Sequence, residues 1–95
     1  MEEIPDEMPG GLTLQRTTPT FDEQSTPAGL LRAHQVASGV WGRLVVARGS
    51  LGFVFEEQPD VVRVITAGGT QLIPPAVLHH VVLDGPVRFT VEFYR

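Results

Sequence analysis

The chain contains no cysteine and no lysine among its 95 residues. Without cysteine it has no disulfides, no thiolate metal ligands and no cysteine nucleophile. Without lysine it has no Schiff-base chemistry and no P-loop, which requires the lysine ammonium. Any metal chemistry therefore depends on the imidazoles of His34, His79 and His80, assisted by carboxylates.

Long apolar runs are also missing, because no segment approaches the roughly 20 residues that cross a bilayer. The first seven residues are acidic where a secretory leader would be basic. We therefore expect a soluble cytoplasmic protein with no membrane partner. The net charge is −4 and the seven basic residues are scattered arginines. A nucleic-acid partner is not expected, since no clustered basic stripe is present to neutralise phosphates.

What the chain does contain is a series of about eight short strand-like segments, each bounded by Gly, Pro or Asp. No helical periodicity of useful length interrupts them. In the segment 51–55, Leu51, Phe53 and Phe55 share one face by the period of two, which predicts three bulky side chains directed at the core. The pattern is typical of an all-β sandwich or antiparallel β-barrel.

Two glycine dipeptides predict turns between strands. Arg48-Gly49 is predicted to end a strand over 40–47, and Asp84-Gly85 is predicted as a hairpin leading into 87–94. Pro27-Ala28-Gly29 is predicted to begin an extended segment over 30–35. Residues 1–11, rich in acids, Pro and Gly, are predicted to be a flexible lead-in, and residues 12–95 the single β-barrel domain.

Several segments together resemble a family of very small bacterial cupins, related to the YeaR proteins and to the cupin-like domain attached to some TehB tellurite-resistance methyltransferases. The resemblance covers nearly everything from Leu14 onward. It lies in Pro27-Ala28-Gly29-Leu30-Leu31-Arg32-Ala33-His34, Gly39-Val40-Trp41-Gly42-Arg43-Leu44, Gly49-Ser50-Leu51, Pro74-Pro75 with His79, and Val91-Glu92-Phe93-Tyr94. It implies a single-domain cupin-like antiparallel barrel, or double-stranded β-helix (jelly roll), that holds a divalent metal. The methyltransferase domain is absent from this sequence, so methyl transfer is not implied.

The second cupin motif carries a glycine, a proline and a histidine, and Gly68, Pro74 and His79 match its spacing. The first motif normally supplies two histidines and a glutamate, whereas this sequence offers only His34 there. We expect His34 and His79 to be metal ligands. His79 rather than His80 is expected to face the interior, because adjacent strand residues point to opposite faces and the resemblance matches His79.

Glu92 is the best-placed carboxylate for a third ligand. Two histidines and one carboxylate would suit Fe(II), while Zn or Ni would also be accepted. The alternation of the last strand opposes this role: if Phe89, Val91 and Phe93 face the core, Glu92 points away from it. His80 and water are then the alternatives.

Trp41 and Arg43 lie on one face of their strand, and both are candidates, together with His80, to line a pocket for a small-molecule, anionic or planar ligand. The alternative is a core tryptophan with Arg43 extending along its rim.

Three functions remain open from the sequence. The first is a metal-binding cupin domain without strong catalysis of its own, a sensor or small-ligand binder in a tellurite- or nitrate-type stress response. The second is a metal-dependent enzyme, a small dioxygenase or isomerase. The third is a structural domain with an empty barrel. A homodimer is expected in all three cases.

Overall fold

The computed structural model describes residue 5 and residues 7–95. The predicted lead-in over 1–11 falls in part on residues 1–4 and 6, which lie outside the described residues. Seven strands make up the fold: β1 (Leu14–Thr17), β2 (Phe21–Asp22), β3 (Trp41–Phe55), β4 (Arg63–Thr66), β5 (Thr70–Ile73), β6 (His79–Val82) and β7 (Val87–Tyr94). Every pairing between them is antiparallel. The all-β prediction is confirmed.

The 15-residue strand β3 is the centre of the architecture. Its first half pairs with β5 on one side and β7 on the other, and β7 in turn pairs with β1 and β2; we call this the first sheet. Its second half pairs with β4 and β6, which form the second sheet. Because one strand serves both sheets, the two must bend toward each other and enclose a common interior.

The bend in β3 lies where the sequence predicts a turn. The register with β7 shifts by one residue between Val46 and Arg48, and Gly49 follows with a φ of 70°. An extra residue followed by a left-handed glycine is a β-bulge, which bends a strand without ending it. The predicted turn at Arg48-Gly49 is therefore wrong: the chain continues in the same strand and passes from the first sheet into the second.

The second glycine dipeptide shows the same difference. Asp84-Gly85 connects β6 to β7, but these strands pair with opposite halves of β3 rather than with each other. The connection crosses between sheets and is not a hairpin. The extended segment predicted over 30–35 is not observed. A 3-10 turn occupies Ala28–Leu31, and within 30–35 only His34 makes a strand-like bridge.

The core lies between the two sheets. Its largest fully buried side chains are Phe53, Phe55, Phe89, Leu44 and Leu51. The predicted inward face of Leu51, Phe53 and Phe55 is thus confirmed. The helical content of residues 7–95 is one 3-10 turn of four residues, so the described part of the chain holds no helix that could serve as a membrane span.

Candidate functional site

His34 and His79 are brought together by a backbone bridge. The amide of each donates to the carbonyl of the other, with N···O distances of 2.9 Å and 2.8 Å. Side chains of directly paired residues lie on the same face, and the two rings meet edge to face with centroids 5.3 Å apart. Two imidazoles 45 residues apart in sequence are therefore neighbours, as the sequence analysis requires.

His79 is held in a fixed orientation by contacts on both sides of its ring. It is 3% exposed and stacks on Phe53, with centroids 5.1 Å apart and an interplanar angle of 17°. Its Nδ1 lies 2.9 Å from the carbonyl oxygen of Val77. A carbonyl can only accept, so Nδ1 carries the proton and the lone pair of the neutral ring is on Nε2. The fixed tautomer leaves one nitrogen free for a ligand.

Burial lowers the pKa of His79 below its ordinary value of 6.5, and the nearby His34 acts in the same direction, while the Val77 hydrogen bond opposes them. The neutral imidazole is therefore favoured in the folded protein. At neutral pH, His79 Nε2 is an acceptor that can take a hydrogen bond, bind a metal or act as a base.

This shift predicts a pH dependence of stability. Because the folded pKa of His79 is lower than the unfolded one, the unfolded chain binds a proton that the folded chain does not. The free energy of unfolding should therefore fall as the pH is lowered through about 6.5. Above that pH, His79 is neutral in both states and should cause no further change in stability. Urea unfolding with a chelator present, between pH 7.5 and 5, measures it.

The matched variants for this experiment are His79→Asn, which keeps an amide donor for Val77, and His80→Asn. The first should flatten the slope near pH 6.5 and the second should keep it. A wild-type slope that persists unchanged in His79→Asn would show that another group causes it.

The two histidines lie on the surface of a cavity of about 570 Å³ between the sheets. Ligand pockets commonly have volumes of roughly 300–1,000 Å³ and an apolar lining with a few polar groups. Here the apolar lining comes mainly from the two sheets and the segment before β3, and includes Leu30, Val36, Val40, Phe53, Val81 and Phe93. His79 is deep in this lining and His34 is exposed. The histidines are thus polar groups in a mostly apolar lining, to which Gln15, Arg16, Thr18, Gln35 and Arg95 also contribute.

Glu92 does not join them. It lies on the opposite face of β7 from Val91, paired in register with Arg43, and its carboxylate accepts a hydrogen bond of 2.8 Å from the Tyr94 hydroxyl. That bond raises the pKa of Tyr94 above 10.0. The alternation of side chains along β7 predicted that Glu92 points away from the core, and the structure places it there. The predicted trio of His34, His79 and Glu92 is not assembled.

The other predicted pocket residues also face away from the cavity. Trp41 and Arg43 alternate with the buried residues Gly42 and Leu44, and Arg43 stacks on Tyr94 at 5.3 Å from the ring centroid. His80 lies beyond the inward His79 on β6 and contacts the Glu56 carboxylate. His79 is therefore the inward member of the pair. Trp41, Arg43 and His80 do not line the cavity that contains His79, although Arg43 lines a separate polar pocket with Arg63 and Gln71.

A metal ion fits this donor set only partly. Two imidazoles are available, whereas catalytic zinc sites use three protein ligands and structural sites four. Across residue 5 and residues 7–95, no group of three or more His, Cys, Asp or Glu side chains is placed to hold a metal. Any metal at His34 and His79 would need its remaining ligands from water or from a bound molecule.

Sequence reasoning missed two arginines at the cavity. Arg16 on β1 and Arg95 after β7 both contribute to its lining. Arg95 follows Val91 and Phe93 at the period of two, a signal that was available. The position of Arg16 could not be predicted in the same way, because the register between β1 and β7 shifts between Leu14 and Arg16.

The comparisons with known proteins agree with this architecture. The model of the TehB-like domain matches residues 16–91. The chain belongs to the TehB-like domain family. It is 32% identical over 88 residues to YeaR of Escherichia coli (strain K12), an alignment that covers 83% of this chain and 74% of YeaR. The predicted family is therefore confirmed.

Solved structures show the same fold. A crystal structure of a protein from Escherichia coli (strain K12) superposes with a TM-score of 0.83 at 26% identity, covering 94% of this chain and 95% of the other. TehB from Haemophilus influenzae gives a TM-score of 0.78 at 24% identity, covering 87% of this chain and 31% of TehB. A cupin-2 domain protein from Shewanella frigidimarina gives 0.54 at 17% identity, over 85% of this chain and 64% of the other. The TehB-like domain therefore shares its all-β fold with a cupin-2 domain protein.

Proposed function

We propose that this TehB-like domain is a small-ligand-binding cupin module whose ligand lies between the two sheets and contacts His34 and His79. The observation that carries the proposal is the cavity of about 570 Å³ with a single buried histidine in its apolar lining. His79 has a fixed tautomer and a free Nε2, which suits recognition of one polar group on the ligand. A sensor or binder in a stress response of the tellurite or nitrate type is the role that the family resemblance suggests.

Binding is favoured over catalysis by what surrounds the histidines. Among the described residues, no Asp or Glu side chain lines the cavity, and Glu92, the predicted third metal ligand, faces the other side of β7. General acid–base catalysis needs a positioned partner within hydrogen-bond reach of the reacting group. One neutral imidazole beside a second is better suited to holding a ligand than to converting it.

A screen of small-molecule fragments by amide NMR tests the proposal. We expect the fragments that bind to shift the amide resonances of Val36, Val81 and Phe93, which line the cavity, and to leave Val64 on the outer side of β4 unchanged. Fragments that shift only β4, or no binding fragment at all, would contradict a ligand site between the sheets.

A metal-dependent enzyme remains the second candidate, and one observation favours it. The Nδ1 of His79 is bound to a backbone carbonyl, the arrangement that metal-ligating histidines commonly have on their second nitrogen. His34 and His79 would then be the protein ligands. Zinc, nickel and iron are all compatible with imidazole donors.

Zinc titration of chelator-stripped protein by calorimetry tests this candidate. We expect His34→Ala and His79→Ala each to weaken zinc binding at least about tenfold, because each removes one of two donors. Glu92→Gln should leave the affinity unchanged and is the matched control. Absence of zinc binding by the wild type would remove the metal from the account. Loss of binding in Glu92→Gln would mean that the site is built from other residues.

Self-association stays a prediction. Three apolar residues are exposed: Val62 just before β4, Val64 on β4 and Val82 on β6. Sedimentation velocity over a hundredfold concentration range would distinguish a monomer from the expected homodimer.

A further inference from the structure

Within the part of the chain that the structure describes, the Asp, Glu, Lys and Arg side chains that line the cavity are both arginines. The chain as a whole is acidic, with eleven Asp and Glu residues against seven arginines. The cavity nevertheless has Arg16 and Arg95 in its lining and, among the described residues, no Asp or Glu. A site of this kind in an acidic protein selects against cations and attracts anions.

The two arginines lie at the same end of the β1–β7 pair and both line the cavity. Arg16 pairs in register with Phe93 on the first sheet, and Arg95 follows two residues after Phe93. Reciprocal backbone hydrogen bonds of 3.0 Å join Arg95 to Thr13, which fixes Arg95 beside the residue that precedes β1. Both arginines are exposed, so they lie at the rim of the cavity where a charged group can keep part of its hydration.

Neither arginine forms an ion pair within the described part of the chain. The ion pairs there are Arg43 with Glu92 and His80 with Glu56. The guanidinium of Arg16 lies over the Phe93 ring, 4.9 Å from its centroid, which orients it along the cavity lining. Planar guanidinium groups bind carboxylates with two parallel hydrogen bonds.

We propose that the ligand is an anion with an apolar body, of the class of aryl or long-chain carboxylates, with its charged group at Arg16 and Arg95 and its apolar body between the sheets. The inference rests on the proposed function and adds the class of ligand. The apolar body fills the space lined by Val36, Val81 and Phe93. The histidines, on the second sheet, are then available to a second polar group of the ligand.

The test compares three probes that share one ring system: 2-naphthoate, the neutral 2-naphthamide and the cationic 2-naphthylmethylamine. Binding is measured by amide NMR titration of the full chain at low ionic strength. We expect 2-naphthoate to bind about tenfold more tightly than 2-naphthamide, and the amine to bind more weakly than both. Raising the salt concentration should weaken the naphthoate alone.

Variants locate the preference. The double variant Arg16→Gln with Arg95→Gln should reduce naphthoate affinity to that of the amide, while Arg48→Gln, which changes an exposed arginine outside the cavity, should not. Melting temperatures establish that each variant is folded. The wild-type comparison of the three probes stands without any variant.

The outcomes separate the two proposals. Equal binding of naphthoate and naphthamide, with shifts at the cavity residues, would overturn the anion preference and leave the ligand site intact. A naphthoate preference that survives the double arginine variant would also overturn it. No shift at the cavity with any probe at millimolar concentration would overturn both proposals.

Discussion

Replacing Phe53 by alanine is expected to lower the free energy of unfolding by about 3–5 kcal/mol. Phe53 is 0% exposed, stacks on His79 and meets Phe55 edge to face with centroids 5.1 Å apart. The variant loses this burial and leaves space on strand β3, which joins both sheets and cannot close the gap without moving one of them. Because small domains are stable by only about 5–15 kcal/mol, a large share of the total would be lost.

Urea unfolding at pH 7.5 measures this effect, with Val64→Ala as the control. Val64 is 66% exposed on β4, so its truncation should change stability by less than about 0.5 kcal/mol. Equal effects of the two substitutions would mean that Phe53 is not enclosed as the structure shows.

Gly49→Ala is expected to cost about 2–5 kcal/mol or to prevent folding. Gly49 has a φ of 70°, where a side chain is strained, and a Cβ there would lie 2.0 Å from the carbonyl oxygen of Pro86 and 3.1 Å from the Cα of Val87. The atoms in the way are backbone atoms of the neighbouring connection and strand. Relief would require β7 to move away from β3 at the bulge.

Gly68→Ala separates the two contributions. Gly68 has a similar φ of 87°, but nothing lies within 4 Å of its Cβ position. Its cost should be only that of the left-handed conformation, about 1–2 kcal/mol. If the two glycine variants unfold at the same denaturant concentration, β3 does not pass as close to Pro86 as described.

The faces of the strands could be predicted from the sequence because they follow from local periodicity. The inward position of Phe53 and of His79, and the outward position of Glu92, all obey the alternation of strand side chains. The same rule that made Glu92 a doubtful ligand places it beside Arg43 and Tyr94. The resemblance also identified the family, because its segments are spread over most of the chain.

The turns could not be predicted in the same way. The sequence predicts a turn at Gly49 and a hairpin at Gly85, whereas both glycines lie where the chain passes from one sheet to the other. A glycine indicates an unusual φ or a close backbone approach, and it does not tell whether the chain reverses there. That information depends on which distant strand is the neighbour.

Part of the cavity lining could not be predicted from patterns within a single segment, although the resemblance pointed to His34 and His79 and the strand period to Arg95. Arg16 enters the lining through a shift in register with β7, and His34 through a bridge to a residue 45 positions later. Neither leaves a periodic signal in its own segment. The apolar segments that close the cavity were recognised as strands and loops, but their common enclosure is a property of the bend in β3.

The central claim is that His34 and His79 face one ligand cavity while His80 faces away from it. Long-range nitrogen–proton NMR of the histidine rings tests it directly, because the chain has only these three histidines. At pH 7.5 we expect a neutral His79 ring protonated on Nδ1, and saturating 2-naphthoate should shift the ring nitrogens of His34 and His79 but not those of His80. Ring shifts confined to His80, or a His79 ring protonated on Nε2, would contradict the account.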